Sequence, residues 1–159
     1  MKFVPITPDN RSEINAFIAA HWLTTEMVIR GTIVDMTRVD GLAVFENADI
    51  TALLTYIVTD DTLEITSLDS LVESKGVATA LIGEAFRIAR KENCKRVVVV
   101  TTNDNINAIR FYQKRGFDMV ALRRNALEEA RKLKPEIPLL GENNIPLRHE
   151  LEFEYVLEE

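Results

Sequence analysis

The chain has 159 residues, 47% hydrophobic and 28% charged, with 19 basic against 25 acidic side chains and a formal charge of −6. This length and mix predict one globular domain whose core needs no metal or disulfide staple. The acidic balance excludes the broad basic face of a general nucleic-acid binder, although a phosphate ligand, which needs only local donors, stays open. Cys94 is the sole cysteine, so no internal disulfide forms. Residues 1–5 lack the apolar region of a signal peptide, and no apolar run approaches the roughly 18 residues of a membrane span. A cytoplasmic chain with no membrane and no nucleic-acid partner is expected.

Residues 2–6 read as a first strand, bounded by Pro5 and Pro8. Asp9 or Asn10 can cap a helix that carries Ile14, Phe17, Ile18 and Trp22 at helical spacing. Residues 24–40 predict a broken helix and loop. Residues 42–46, 50–59 and 62–68 are β-branched and apolar, separated by turn-like residues at 47–49 and 60–61, and predict a three-strand antiparallel meander. Gly76 opens the strongest helix, where Val77, Leu81, Ala85 and Ala89 recur every fourth residue beside Ala78, Ile82 and Phe86. That stripe faces a sheet. The unbroken run at 96–101 reads as a strand buried on both faces, and strand, helix and strand together predict a parallel crossover. A helix at 105–115 ended by Gly116, a strand at 117–122, a charged helix at 125–134 stopped by Pro135, and an alternating strand at 151–157 complete the chain. The sum is an α/β (α+β) fold. It has a mixed, mostly antiparallel central sheet of about seven strands and forms a single domain over residues 1–159.

Two segments carry chemistry. Residues 68–79 pass from the third meander strand into the Gly76 helix through a small-residue turn. Such a turn aims backbone N–H groups and the positive end of the helix dipole at an anion, a phosphate or pyrophosphate for example. Gly76 and Ala78 keep the approach open, and Ser74, Lys75 and Thr79 can add contacts. The turn is neither a Walker A loop nor Gly-x-Gly-x-x-Gly. The second segment, residues 103–117, places Asn103 and Asn105 at the end of the buried strand. Ala108, Phe111 and Tyr112 follow on one helix face. Phe111 reads as core; Tyr112 reads as core or as a hydroxyl presented to a ligand.

Together the segments resemble the GNAT superfamily of acyl-CoA-dependent N-acyltransferases. The family's pyrophosphate loop, Arg/Gln-x-x-Gly-x-Gly/Ala, is matched by Glu73-Ser74-Lys75-Gly76-Val77-Ala78. Its second signature, Asn-x-x-Ala-x-x-Phe/Leu-Tyr-x-x-x-Gly-Phe, is matched from Asn105 through Ala108, Phe111, Tyr112 and Gly116 to Phe117. The likeness spans residues 41–124. Glu73 departs from it, a carboxylate where the family has Arg or Gln.

The resemblance implies a V-shaped splay between the 62–68 and 96–101 strands, with helices on both faces of the sheet. Acetyl-CoA would lie in the splay as cosubstrate, with no metal. Its pantetheine arm would pair with backbone near Leu68 and Ser70, and its pyrophosphate would rest on the N–H groups of residues 74–79, Val77 among them. Asn103, Asn105, Ala108, Phe111 and Tyr112 would complete the cofactor-binding set. A primary amine would attack the thioester directly in a ternary complex, with a backbone N–H near Leu68 steadying the oxyanion. Tyr112 matches the tyrosine that protonates the departing thiolate. Glu64, on the central strand, is the candidate base, acting directly or through water, and Asp69 reads as a solvated face residue.

The remaining candidates read as structural. Cys94 has no histidine nearby in sequence, His21 and His149 lack metal-ligand spacing, and the basic cluster at 123–134 alternates with Glu128 and Glu129 as a solvated helix face. The long connection 123–148 is expected to lid the acceptor site together with Trp22, Met27 and Arg30. Its other readings are a homodimer contact or a surface cover. A non-catalytic acyl-CoA-binding module on the same fold is the alternative function.

Overall fold

The computed structural model describes residues 2–71 and 76–158. In chain order the elements are β1 (Phe3–Pro5), α1 (Arg11–Trp22), β2 (Glu26–Ile29), β3 (Thr32–Asp35), β4 (Asp40–Glu46), β5 (Asp49–Thr59) and β6 (Thr62–Ser70). They continue with α2 (Val77–Lys91), β7 (Arg96–Thr102), α3 (Ile106–Lys114), β8 (Asp118–Arg123), α4 (Ala126–Leu133), a 3-10 turn (Glu142–Asn144) and β9 (Glu150–Val156). Seven strands form a sheet in the order β1-β4-β5-β6-β7-β9-β8, while β2 pairs only with β3. The pairs β1·β4, β4·β5, β5·β6 and β8·β9 are antiparallel. Among the described residues no helix is long and apolar enough to cross a membrane.

Residues 24–40 correct the expected broken helix and loop, because they contain the β2–β3 hairpin. Arg30 (φ 51°) and Gly31 (φ 74°) both take positive φ between the strands, the conformation a tight two-residue hairpin turn requires. The signal was present in the sequence as Val28-Ile29 and Thr32-Ile33-Val34 flanking the Arg30-Gly31 pair. It was obscured because only one of the two turn positions is glycine.

The chain divides into two compact units, the first taking the described residues within 1–27, 35–97 and 156–159. Here the meander forms as its β-branched runs predict, with positive φ at Asn47 and Asp60 in its two turns. In β6 the register slips: Thr55 faces Ser67 but Tyr56 faces Ile65, which leaves Thr66 as an extra residue, a β-bulge. A bulge reverses the alternation beyond it. Glu64, Ser67 and Asp69 therefore share one face with Leu53, Thr55 and Ile57, and Leu63, Ile65, Leu68 and Ser70 share the other. The bulge is tied internally, since Thr55 Oγ1 bonds the hydroxyls of Thr66 (2.7 Å) and Ser67 (2.6 Å) with all three buried.

Helices cover both faces of this part of the sheet. The last turn of α1 reaches Asp69 on the first face. On the second, Glu92 and Arg87 at the far end of α2 act on Tyr56, whose hydroxyl is pushed up mainly by burial. Helix α2 buries Val77, Leu81, Ile82, Ala85 and Ala89, the stripe read from the sequence. Cys94 is buried, and burial with Glu92 and Asp61 pushes its thiol up.

The second unit takes residues 28–34 and the described residues within 98–155. Its connection 123–148 is stitched down rather than loose. Arg131 donates to the carbonyls of Ile137 (3.2 Å), Pro138 (2.7 Å) and Leu147 (2.6 Å). Buried Asp104 accepts from the Glu142 N–H (2.9 Å) and from Thr102 Oγ1 (2.5 Å). The Cβ of any residue replacing Gly141 would collide with the Asp104 carboxylate.

Strand β9 alternates Glu150, Glu152 and Glu154 with Leu151, Phe153 and Tyr155, yet Glu150 and Glu152 are buried. The hairpin tip covers them: Arg30 gives its backbone N–H to Glu150 (3.2 Å) and its Nε–H to Glu152 (2.9 Å), and Arg123 adds a bond to Glu152 (2.8 Å). Burial pulls the Glu152 carboxyl upward more than any other single influence. The hydrogen bonds and charges of Arg123 and Arg30 together outweigh it, and hold the group below the usual carboxylate range. A carboxyl depressed in the folded state contributes stability that is complete above its unfolded-state pKa and is lost as pH falls through the folded value. Glu152→Gln is therefore expected to destabilise the protein by about 1–3 kcal/mol at neutral pH, with the difference shrinking on acidification. Urea melts of both proteins at neutral and acid pH measure this, and a pH-independent difference would assign the loss to packing instead.

Candidate active site

The expected site residues fall into two sets, one in each unit. In the first unit, β6 ends at Ser70 and α2 starts at Val77, with Gly76 as its N-cap at φ 70°. That left-handed conformation is strained for any residue with a Cβ. Among the described residues no side chain caps this helix start, and its first turn holds no acidic residue. The N–H groups at the start of α2 have no partners within the helix, and the dipole favours an anion beside them. Val77 is buried, Ala78 half-buried and Thr79 exposed. Ser74 and Lys75, with Glu73, lie outside the described residues.

Leu68 and Ser70 are half-buried on the α2 side of β6, opposite Leu54 and Ala52. Glu64 is half-buried on the α1 side. Asp69 corrects the expectation of a solvated residue, being only 8% exposed. Its Oδ2 accepts from Trp22 Nε1 (2.9 Å), and its Oδ1 lies 3.2 Å from His21 Nε2. Burial pushes the Asp69 carboxyl above the usual range, opposed by the Trp22 bond and the His21 charge. Sequence reasoning missed this cluster because its partners are separated by 47 residues. Strand alternation alone also sets Glu64 and Asp69 on opposite faces; only the Thr66 bulge unites them.

In the second unit, Asn105 caps α3 by accepting the Ala108 N–H (3.1 Å). The Asn103 side chain secures the entry to β9, giving its amide to the Pro146 carbonyl (2.9 Å) and accepting the N–H groups of Arg148 and His149 (2.9 Å each). Tyr112, not Phe111, is the buried member of the helix face. Its ring lies 5.4–5.9 Å from those of Phe111, Phe117 and Phe153. Phe111 is half-buried under the Arg115 guanidinium, 4.3 Å from its ring centre. Of the residues expected at the acceptor end, Trp22 joins Asp69, while Arg30 is held in its ion pair with Glu152. His149 Nδ1 accepts the Asn125 N–H (2.9 Å). Among the described residues no group of three or more His, Cys, Asp or Glu side chains is placed to hold a metal ion.

Comparison with known proteins agrees with this geometry. The profile of the acetyltransferase (GNAT) family matches residues 21–117. Two Bacillus subtilis proteins are similar along nearly their whole lengths. The uncharacterized protein YxbD is 44% identical over 95% of this chain and 96% of its own, and the uncharacterized protein YdhI is 43% identical over 96% and 98%. Among solved structures, a GNAT family acetyltransferase from Elizabethkingia anophelis with acetyl-CoA bound superposes with a TM-score of 0.69 at 17% identity, covering 98% of this chain and 97% of its own. A Bacillus subtilis acetyltransferase in complex with CoA gives 0.70 at 18%, with 99% of each chain covered. The ribosomal-protein-S18-alanine N-acetyltransferase of Escherichia coli gives 0.70 at 11%, covering 99% of this chain and 94% of its own. A seven-stranded α/β sheet, a helix led by left-handed Gly76 after β6, and a family profile spanning both signature segments give one conclusion: the chain belongs to the acetyltransferase (GNAT) family.

Proposed function

We propose that the chain, acting as one domain, transfers an acetyl group from acetyl-CoA to a primary amine by direct attack in a ternary complex. The observation that carries this reading is the start of α2. Gly76, in the left-handed conformation, is the N-cap of α2, and among the described residues no side chain hydrogen-bonds that cap. The polyanionic end of acetyl-CoA is a ligand suited to that arrangement. Residues 74–79 would hold the pyrophosphate, Leu68 and Ser70 would offer backbone to the pantetheine arm, and Asn103, Asn105, Ala108 and Phe111 would shape the rest of the site. The protein's charge of −6 favours a cationic acceptor, and a partner bearing a primary ammonium fits it.

Two proton movements must accompany transfer. The departing thiolate needs a proton, and Tyr112 supplies it from a hydroxyl that is protonated at neutral pH in an unperturbed tyrosine. The incoming ammonium must lose one before its nitrogen can attack. Glu64 supplies negative charge for drawing in the cation and one place for its proton, directly or through water.

Two measurements test the proposal. Acetyl-CoA at about 100 times its Kd should add about 2.7 kcal/mol of stability, raising the melting temperature by roughly 5–10 °C. Thiol release should then appear in a panel holding an alkyl monoamine, a diamine, an aromatic amine and a peptide N-terminus. A thermal shift without thiol release from any amine would favour a binding module over an enzyme, and no shift would remove acetyl-CoA from the reading. Tyr112→Phe keeps the aromatic cluster and deletes only the hydroxyl. It should lower kcat by roughly ten- to a thousandfold while leaving the acetyl-CoA thermal shift intact; an unchanged steady-state kcat would exclude Tyr112 from the chemistry.

A further inference from the structure

Strand β8 (Asp118–Arg123) ends the seven-stranded sheet, and among the described residues its only strand partner is β9. Its outer side therefore presents backbone N–H and C=O groups that no strand meets. Sheet edges are commonly defended by Lys or Pro, and β8 carries neither. The side chains between its two end charges are all apolar: Met119, Val120, Ala121 and Leu122. Met119 and Val120 are each 48% exposed, and Leu122 is 58% exposed. An edge this open is a template for another strand.

We propose that β8 pairs antiparallel with β8 of a second copy of the chain, about a two-fold axis between Val120 and Ala121. This register sets Asp118 against Arg123 of the second copy, Met119 against Leu122, and Val120 against Ala121. Residues opposed across two strands must share a face of the sheet. In a regular strand, residues an odd number apart lie on opposite faces, and the register would fail. In β8 it holds, because the pairing with β9 slips between Met119 and Ala121 and leaves Val120 as an extra residue. Asp118 and Arg123 therefore lie on the face of Glu154 and Glu150, while Met119 and Leu122 lie on that of Phe153 and Leu151. The bulge makes the strand complementary to itself.

Charge selects the same partner. Within its own chain Asp118 lies opposite Glu154, a like charge that disfavours the pair. Among the described residues Asp118 forms no ion pair. Arg123, half-buried, is fixed at the other end of the strand by its bond to Glu152 (2.8 Å). The second copy brings a cation to Asp118 at each end of the paired strands. The contact is isologous and occupies β8 of both copies, so association stops at two. Each copy contributes one strand of 6 residues, smaller than the roughly 800 Å² per partner of a standard stable interface. The dimer is accordingly reversible and depends on concentration.

Analytical ultracentrifugation of the whole chain over a wide concentration range tests this, and should show monomer converting to dimer with no larger species. Met119→Lys and Leu122→Glu each place a charge against an apolar side chain of the second copy, twice per dimer. Each alone should raise the dimer dissociation constant by roughly tenfold or more. Mixed in equal amounts, the two variants bring the new ammonium opposite the new carboxylate. A dimer holding one copy of each should then form in preference to either variant with itself. Circular dichroism melts establish that both variants are folded, and a loss caused by misfolding would not be restored by mixing. A wild-type chain that stays monomeric at its highest soluble concentration overturns the inference. So does a dimer that neither substitution weakens, or a pair of folded variants that fail to associate when mixed.

Discussion

A carboxylate taken out of water must be met by donors, and this constraint organises the protein. Asp69, Asp104, Glu150 and Glu152 are all buried. Left unpaired, each would lose its charge or destabilise the fold by several kcal/mol. Each is instead met by a segment remote in the chain. Asp69 holds the last turn of α1 against β6. Asp104 holds the 3-10 turn of the 123–148 connection. Glu150 and Glu152 hold the tip of the β2–β3 hairpin. The segments that depart from the regular sheet are thus fixed by buried charge as well as by apolar contact. A buried ion pair such as Arg30–Glu152 adds little net stability over an apolar core, but breaking one half of it is severe. Its contribution is positional: it defines where a segment sits.

That positional role bears on chemistry. An acetyl transfer between two bound substrates depends on groups held in fixed directions more than on reactive side chains as such. Within its own unit, Tyr112 is clasped by three aromatic rings. In the 123–148 connection, Arg131 is bound to three carbonyls and Asp104 to the Glu142 N–H of the turn.

Legibility in the sequence varied with the range of the interaction. The meander, the α2 stripe and the 96–102 strand were readable because they repeat with the period of their own backbone, as was the cap-and-glycine frame of α3. The β2–β3 hairpin was not, because it hinges on Arg30 adopting a positive φ, which few non-glycine residues do. Buried Glu150 and Glu152 were equally hidden. Their alternation with Leu151 and Phe153 is the pattern of a half-solvated strand, and only the hairpin tip turns its polar face inward. Asp69 failed for a related reason, because counting along β6 without the Thr66 bulge sends it to the wrong face.

The sequence by itself determined the strands and helices other than the β2–β3 hairpin, the glycine-led start of α2, and the family through two signature segments that straddle one strand. All of these are local, written within about fifteen residues of chain, where hydrophobic period, capping and turn chemistry act. Tertiary structure alone decided which face of β6 carries its acids and which remote donors meet the buried carboxylates. It also decided that His21, an unremarkable residue near a helix end in the sequence, stands 3.2 Å from the Asp69 carboxylate. One inserted residue reverses a strand's alternation, and a buried charge takes its partner from whatever the fold brings near. Neither effect has a period that a single sequence displays.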